Sequence, residues 1–186
     1  MDVDSQQRMQ RELASGERLL WSGRPRQGLR LRAGDALMIP FSLLWGGFAI
    51  FWETMALRTG PLFFALFGIP FVMIGLYMIV GRFFADSYQR GRTYYGLTDQ
   101  RALILTAKGV KSLSLRALAD VSLRERGDRS GTISFGVGDP RYAFFAGSGW
   151  PGMGHHLPPS FDLIEEARQV YTQVRDAQQA FQRIGA

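Results

Sequence analysis

The chain has 186 residues, 20% of them charged, with 22 Lys plus Arg against 16 Asp plus Glu for a formal net charge of +6, and it contains no cysteine. That length holds one ordinary soluble domain, or a smaller domain with a membrane anchor, and the missing cysteines exclude a disulfide framework, a thiolate metal site and a thiol nucleophile. The cationic excess suits anionic headgroups or acidic partners; nucleic acid is not expected, because it calls for a basic stripe with interleaved aromatics and here the aromatics gather in apolar runs.

The first 32 residues mix Asp2, Asp4, Glu12 and Glu17 with Arg18, Arg24, Arg26, Arg30 and Arg32. Such a long, partly acidic stretch is unlike the short basic start of a secretory signal. Two uncharged runs follow, Ala36 to Trp52 and Pro61 to Gly81. At 1.5 Å per residue the second reaches about 31 Å, the thickness of a hydrocarbon core, while the first, at about 25 Å, has to borrow Glu53 to Leu57. Both runs are apolar on every face, which a soluble core helix is not, and Pro40 and Pro70 are better tolerated in lipid than in water. We therefore expect a hairpin of transmembrane helices over 33–57 and 61–82, joined by a short outer loop at 58–60, with Asp35 and Glu53 at the interfaces. Gly46, Gly47, Gly68 and Gly75 allow close helix packing.

Positive residues beside spans tend to stay cytoplasmic. Arginines cluster before the first run and after the second (Arg82, Arg90, Arg92), whereas the connection from Glu53 to Gly60 holds only Arg58. Both termini are thus expected on the cytoplasmic side, and all recognition with them. Neither run contains an ionisable residue, so an ion or proton pathway has no support.

Beyond Arg92 the pattern becomes period-two alternation. Tyr94 to Leu97, Arg101 to Thr106 and Val110 to Leu115 read as strands joined by tight turns, and Val121 to Arg124 pairs with Thr132 to Val137 across the Gly127 to Gly131 turn. Tyr142 to Phe145 adds a further strand before a Gly- and Pro-rich loop from Gly147 to Pro159. A helix is expected over 160–183, with Ser160 as N-cap and Asp162, Glu165 and Glu166 in its first turns. Its apolar face, Phe161, Ile164, Ala167, Tyr171, Val174 and Phe181, is expected to close the sheet; lying on the membrane is the competing arrangement.

Four segments give the chain a partial resemblance to the bacterial pleckstrin-homology-like domains that are attached to membrane hairpins: GERLLWSGRPR at Gly16 to Arg26, YYGLTDQRALIL at Tyr94 to Leu105, SLRALADV at Ser114 to Val121, and GTISFG at Gly131 to Gly136. The most specific element is aromatic-x-Leu-Thr-x-x-Arg through Tyr95, Leu97, Thr98 and Arg101. The resemblance implies a PH-like domain over 92–186, mostly β, with a strongly bent antiparallel sheet of about seven strands closed by a C-terminal helix. It also implies a multi-pass location in the bacterial inner membrane, binding of lipid headgroups or protein segments, no catalytic residues and no cofactor. ERLLWSG either joins that sheet or rests at the interface.

For chemistry, His155 and His156 are the only histidines and form no metal site by themselves. No serine stands in a nucleophile arrangement, and the glycines do not form a phosphate loop. The candidates for contact with anionic lipid headgroups are Arg24, Arg26, Arg30, Arg32, Arg82, Arg90 and Arg92, each worth roughly 1 kcal/mol beside an anionic leaflet; the same residues would serve simply to set topology. The expectation is a membrane-anchored, non-enzymatic module that binds a protein partner or an anionic lipid headgroup. The alternative is an accessory or assembly subunit acting through its transmembrane helices.

Overall fold

The computed structural model describes residues 3–28, 31, 34–118, 120–137 and 157–184. Arg30, Arg32, the strand expected at Tyr142 to Phe145, both histidines and most of the loop from Gly147 to Pro159 lie outside the described residues. The chain forms two compact units.

The second unit is a helical hairpin. Helix α2 spans Asp35–Thr59; α3 spans Leu62–Leu76 and continues through a π-helical turn at Tyr77–Gly81 into α4, Arg82–Gly91, whose residues from Tyr88 onward belong to the first unit. Both arms are long and apolar enough to cross a membrane, and only 22% of each apolar window is buried within the chain, unlike a core helix of a soluble protein. Leu44, Phe48, Phe51, Leu62, Phe63 and Met73 all face outward. The buried residues of α2 include Asp35, Ser42, Ala49 and Ala56, each seven after the last, and those of the other arm include Gly68, Gly75 and Arg82 at the same spacing. A seven-residue recurrence keeps one stripe turned toward the partner helix. Because the stripe is small, the backbones approach closely: a Cβ on Gly75 would lie 2.9 Å from the Gly46 Cα.

The first unit gathers residues 3–28, 88–137 and 158–184. A short helix α1, Val3–Gln10, precedes strand β1, Leu19–Gly23. After the hairpin come β2 Tyr94–Thr98, β3 Arg101–Thr106, β4 Gly109–Ser114, β5 Val121–Glu125, β6 Gly131–Phe135, β7 Ser160–Ile164 and helix α5, Ala167–Ile184. The strands form two antiparallel sheets, β1-β2-β3-β4 and β5-β6-β7, and not the single bent sheet expected from the resemblance. Between β4 and β5 the chain leaves the ladder: the Leu115 amide donates to the Gln100 carbonyl and Leu118 is buried, its carbonyl accepting from Gln178 Nε2. The question left open by ERLLWSG is answered by β1, which pairs with β2 through Trp21 opposite Leu97.

One core lies between the sheets and α5: Tyr95, Leu97, Ala102 and Ile104 from the first sheet, Ile133, Phe135, Phe161 and Ile164 from the second, and Ala167, Val170, Val174 and Ala177 from the helix. The amphipathic helix thus closes the sheets, as its spacing predicts. The outer face of the four-stranded sheet is covered by α1, whose Met9 packs on Tyr94 and Leu103. Gly96 makes room for it, since a Cβ there would meet the Met9 Sδ at 2.7 Å.

The helix expected from Ser160 begins only at Ala167, because Ser160–Ile164 is strand β7. Pro158 and Pro159 hold the chain extended, and the Phe135 amide donates to the Pro159 carbonyl at 2.9 Å, so pairing with β6 has already started. Leu163, at φ 51°, forms a bulge that turns Ile164 inward beside Phe161. This produces the three-residue apolar spacing of a helix without helical backbone. Glu166, at φ 46°, then starts α5, and the Ala167 amide donates to the Arg129 carbonyl.

Candidate functional site

The candidate arginines separate into three environments. On the strap that leaves β1, Arg24 Nη2 lies 3.3 Å from Asp4 Oδ2, and its guanidinium sits 5.4 Å from the centroid of Tyr94. Arg8 of α1 donates to the other Asp4 oxygen at 3.2 Å and lies 4.8 Å from the same ring, while the Tyr94 hydroxyl donates to Asp4 at 2.9 Å. Hydrogen bonds from Tyr94 and Arg8, helped by the nearby guanidinium charges, hold the Asp4 carboxyl below the usual carboxylate range. Burial and the neighbouring carboxylate push the Tyr94 phenol up. Two cations sharing one acid and one ring fasten α1 to the sheet.

Arg26 ties the same strap to the three-stranded sheet. Its amide donates to the carbonyl of Leu163, the residue in the bulge, at 2.8 Å, and its side chain pairs with Asp128 and stands 3.5 Å from Glu165. Asp128 is held low by the Ser130 hydroxyl and amide and by Arg26. Arg90, buried near the end of α4, donates to the carbonyls of Arg26 at 2.6 Å and Gly28 at 2.7 Å. Strap and post-hairpin helix are thereby joined through one guanidinium, a geometry that two divergent carbonyls require and an ammonium matches poorly.

Arg82 belongs to the hairpin, where it pairs with Asp35 at 2.6 Å, both side chains buried. Asp35, expected at an interface, is thus the partner of the first arginine after the second apolar run. Arg92 is exposed and stacks on Tyr88 at 4.2 Å. Of the five described candidates, then, Arg24, Arg26 and Arg90 converge on the strap, Arg82 is in the hairpin seam, and Arg92 is the one on an open surface.

Sequence reasoning missed a further clasp. Glu17, its side chain fully buried, accepts from Arg101 Nε and Nη2 at 2.8 Å each, from Thr98 Oγ1 at 2.7 Å and from the Ala14 amide at 2.8 Å. Arg101 first, then the Ala14 amide and Thr98, bring its pKa down to about 2 against the opposing effect of burial. Thr98 Oγ1 also accepts from the Arg101 amide and so shapes the β2–β3 turn. The segments GER and LTxxR, which carry much of the resemblance, are two halves of this one contact. Glu53, expected at an interface, stands inside α2 opposite Gly68 of α3, and its buried Oε2 has no hydrogen-bond partner among the described residues.

The sheet edges bear on binding. β4 closes the order β1-β2-β3-β4, and all its residues but Leu113 are exposed. Lys111 stands in its middle and Lys108 in the turn before it. Among the described residues no group of three His, Asp or Glu side chains is placed to hold a metal. In comparison with known proteins, no family model, curated protein or solved structure matches this chain.

Proposed function

We propose that this chain is a membrane-anchored, non-enzymatic binding module of the PH-like type, set in the bacterial inner membrane with both termini in the cytoplasm, and that it docks an extended, acidic segment of a protein partner on the β4 edge. The observation that carries the reading is this exposed edge, whose second side pairs with no described strand. An open edge offers a row of backbone donors and acceptors to an added strand. Lys111 repels a second copy of the same edge and attracts acids. Anchoring supports the reading further, because a tethered module needs little affinity per contact. The clustering of arginines at both inner ends of the hairpin supports the orientation.

A second reading, an anionic lipid headgroup as ligand, rests on Arg92, which is exposed and stacked on Tyr88. It draws less from Arg24, Arg26 and Arg90, whose guanidiniums already serve carboxylates and carbonyls within the chain. The test is photocrosslinking in cells from a reactive residue placed at Ser112, at Arg92 or at Gln179 on α5. Docking on the edge gives one protein adduct from Ser112 that Lys111→Glu abolishes. Adducts of equal yield from all three positions, or lipid adducts alone, reject it.

A further inference from the structure

Two carboxyls of the hairpin, Asp35, which is buried, and Glu53, which is partly buried, occupy its interhelical seam in opposite circumstances. At one end Asp35 has Arg82 at 2.6 Å. Toward the other end Glu53 points Oε2 into the notch left by Gly68, so closely that a Cβ there would lie 1.8 Å from the oxygen. That oxygen is buried and accepts no hydrogen bond from a described residue.

Depth makes this costly. Glu53 lies six residues before the end of α2, and Gly68 six after the start of α3, so the carboxyl is about 9 Å inside the hairpin tip. On α3 the residues between the tip and Gly68 are Leu62, Phe63, Phe64, Ala65, Leu66 and Phe67, an apolar belt; on α2 the Thr54 and Thr59 hydroxyls donate to carbonyls of their own helix, and Arg58 stands one residue from its end. A carboxyl level with such a belt lies in hydrocarbon, where an unsatisfied polar group costs several kcal/mol. Ionisable residues at such depth face a partner when one exists.

We propose that Glu53 is a docking point for a basic side chain, Lys or Arg, carried by a transmembrane helix of another protein, so that the partner completes at the tip the charge pairing that Arg82 completes at the base. Gly68 takes Oε2 into its notch, while the Glu53 side chain as a whole is only partly buried, so its other face is what an incoming helix meets. The inference is independent of the β4 edge but rests on the hairpin being in the bilayer.

The test uses the full chain in vesicles of zwitterionic phosphatidylcholine, with three labelled synthetic Leu/Ala transmembrane peptides that carry Lys, Glu or Leu at the depth of Glu53; proximity is read by energy transfer. The expected result is about a tenfold preference for the Lys peptide over the Leu peptide, the order of a polar contact between membrane helices. Glu53→Gln removes that preference and Glu53→Asp keeps part of it, with helix content by circular dichroism unchanged in both. Equal binding of the peptides, preference for the Glu peptide, or a Lys preference that survives Glu53→Gln overturns the proposal. A chain washed off the vesicles by alkaline carbonate overturns the membrane reading and the docking point together, and is recognised before any peptide is added.

Discussion

The two units solve the packing problem with opposite materials. In the sheet unit, space is filled by large side chains: Phe161 is fully buried and touches Tyr95, Phe135 and Trp21 at ring separations of 4.9, 4.8 and 5.6 Å. In the hairpin, the seam is built on residues with almost no side chain, Gly46 against Gly75 and Gly68 making room for Glu53, while most of the large ones face away. Water rewards burial of apolar area, so size is an advantage inside the first unit. Lipid, where we propose the hairpin sits, offers no such reward, and helices in it associate by close approach and polar contacts. Polar groups follow the same division: Asp4, Glu17 and Asp128 of the sheet unit each accept from several donors, whereas in the hairpin seam Asp35 pairs with Arg82 and Glu53 Oε2 has no partner among the described residues.

The strongest attempt to break this comparison is Phe161→Ala. It removes three ring contacts and leaves a cavity, so the sheet unit loses about 3–5 kcal/mol. Pulse proteolysis of the full chain in mild detergent over a urea series measures it. The comparison holds if the hairpin keeps its helix content where the sheet unit is cut, and breaks if both are lost together.

Gly75→Leu is the converse change. A side chain there collides with the Gly46 backbone, and overpacking of this kind costs about 1–3 kcal/mol. Spin labels on the outward residues Leu44 and Met73 should show a longer, broader distance, with the proteolysis midpoint of the sheet unit unchanged. Gly68→Ala is a gentler version whose cost depends on Glu53: combined with Glu53→Ala it should be relieved, giving a coupling in a double-mutant cycle.

What the sequence made legible follows the same division. The hairpin was readable because an uncharged run needs no partner to be recognised, and the strands from Tyr94 to Phe135 because alternation repeats within each. Strand β7 was not readable: Phe161 and Ile164 are three apart, and only a bulge at Leu163, set by pairing with a strand thirty residues earlier, distinguishes that spacing from a helix. Helix α1 is eight residues long with only Val3 and Met9 apolar, and of these only Met9 is buried, too little for a periodic signal. The seam was hidden among apolar residues, since its mark is a seven-residue recurrence of small ones, Ser42, Ala49, Ala56 and Gly68, Gly75, and not the four-residue glycine spacing. For the arginines, position in sequence gave an expected side of a span but not what they touch. Arg26 meets Asp128, 102 residues away, and Glu17 meets Arg101 at a separation of 84.

The Glu17 clasp sharpens the comparison by pH. Its pKa is lowered to about 2 from the ordinary carboxylate value of 4.5, so the unfolded chain takes up a proton more readily than the folded one. The stabilisation is therefore fully present above about pH 4.5 and is lost as pH falls toward 2. After allowance for screening at the half-open Arg101 side, about 1–2 kcal/mol is at stake. Glu17→Gln should lower stability near neutrality by that order and flatten the acid limb of the stability profile of the sheet unit. An acid limb as steep in the variant as in the parent would assign acid sensitivity to other groups.

The smallest effect separates fastening from recognition among the arginines. Arg24 and Arg8 hold α1 through Asp4 and Tyr94, so Arg24→Ala should speed amide exchange over Val3–Gln10 at a cost below about 1 kcal/mol, the usual worth of a half-exposed ion pair. The Arg92 guanidinium stacks on the ring of Tyr88 and stands in solvent, so Arg92→Ala should leave that exchange unchanged. The two variants then discriminate the ligand. If an anionic headgroup is bound, native mass spectrometry from mixed micelles should show Arg92→Ala retaining less phosphatidylglycerol relative to phosphatidylethanolamine, by about fivefold for one cation near the surface. Arg24→Ala should retain the parental ratio, because its charge is already neighboured by Asp4. If the β4 edge is the binding surface instead, neither substitution alters the lipid ratio, and Lys111→Glu alone reduces the adduct from Ser112.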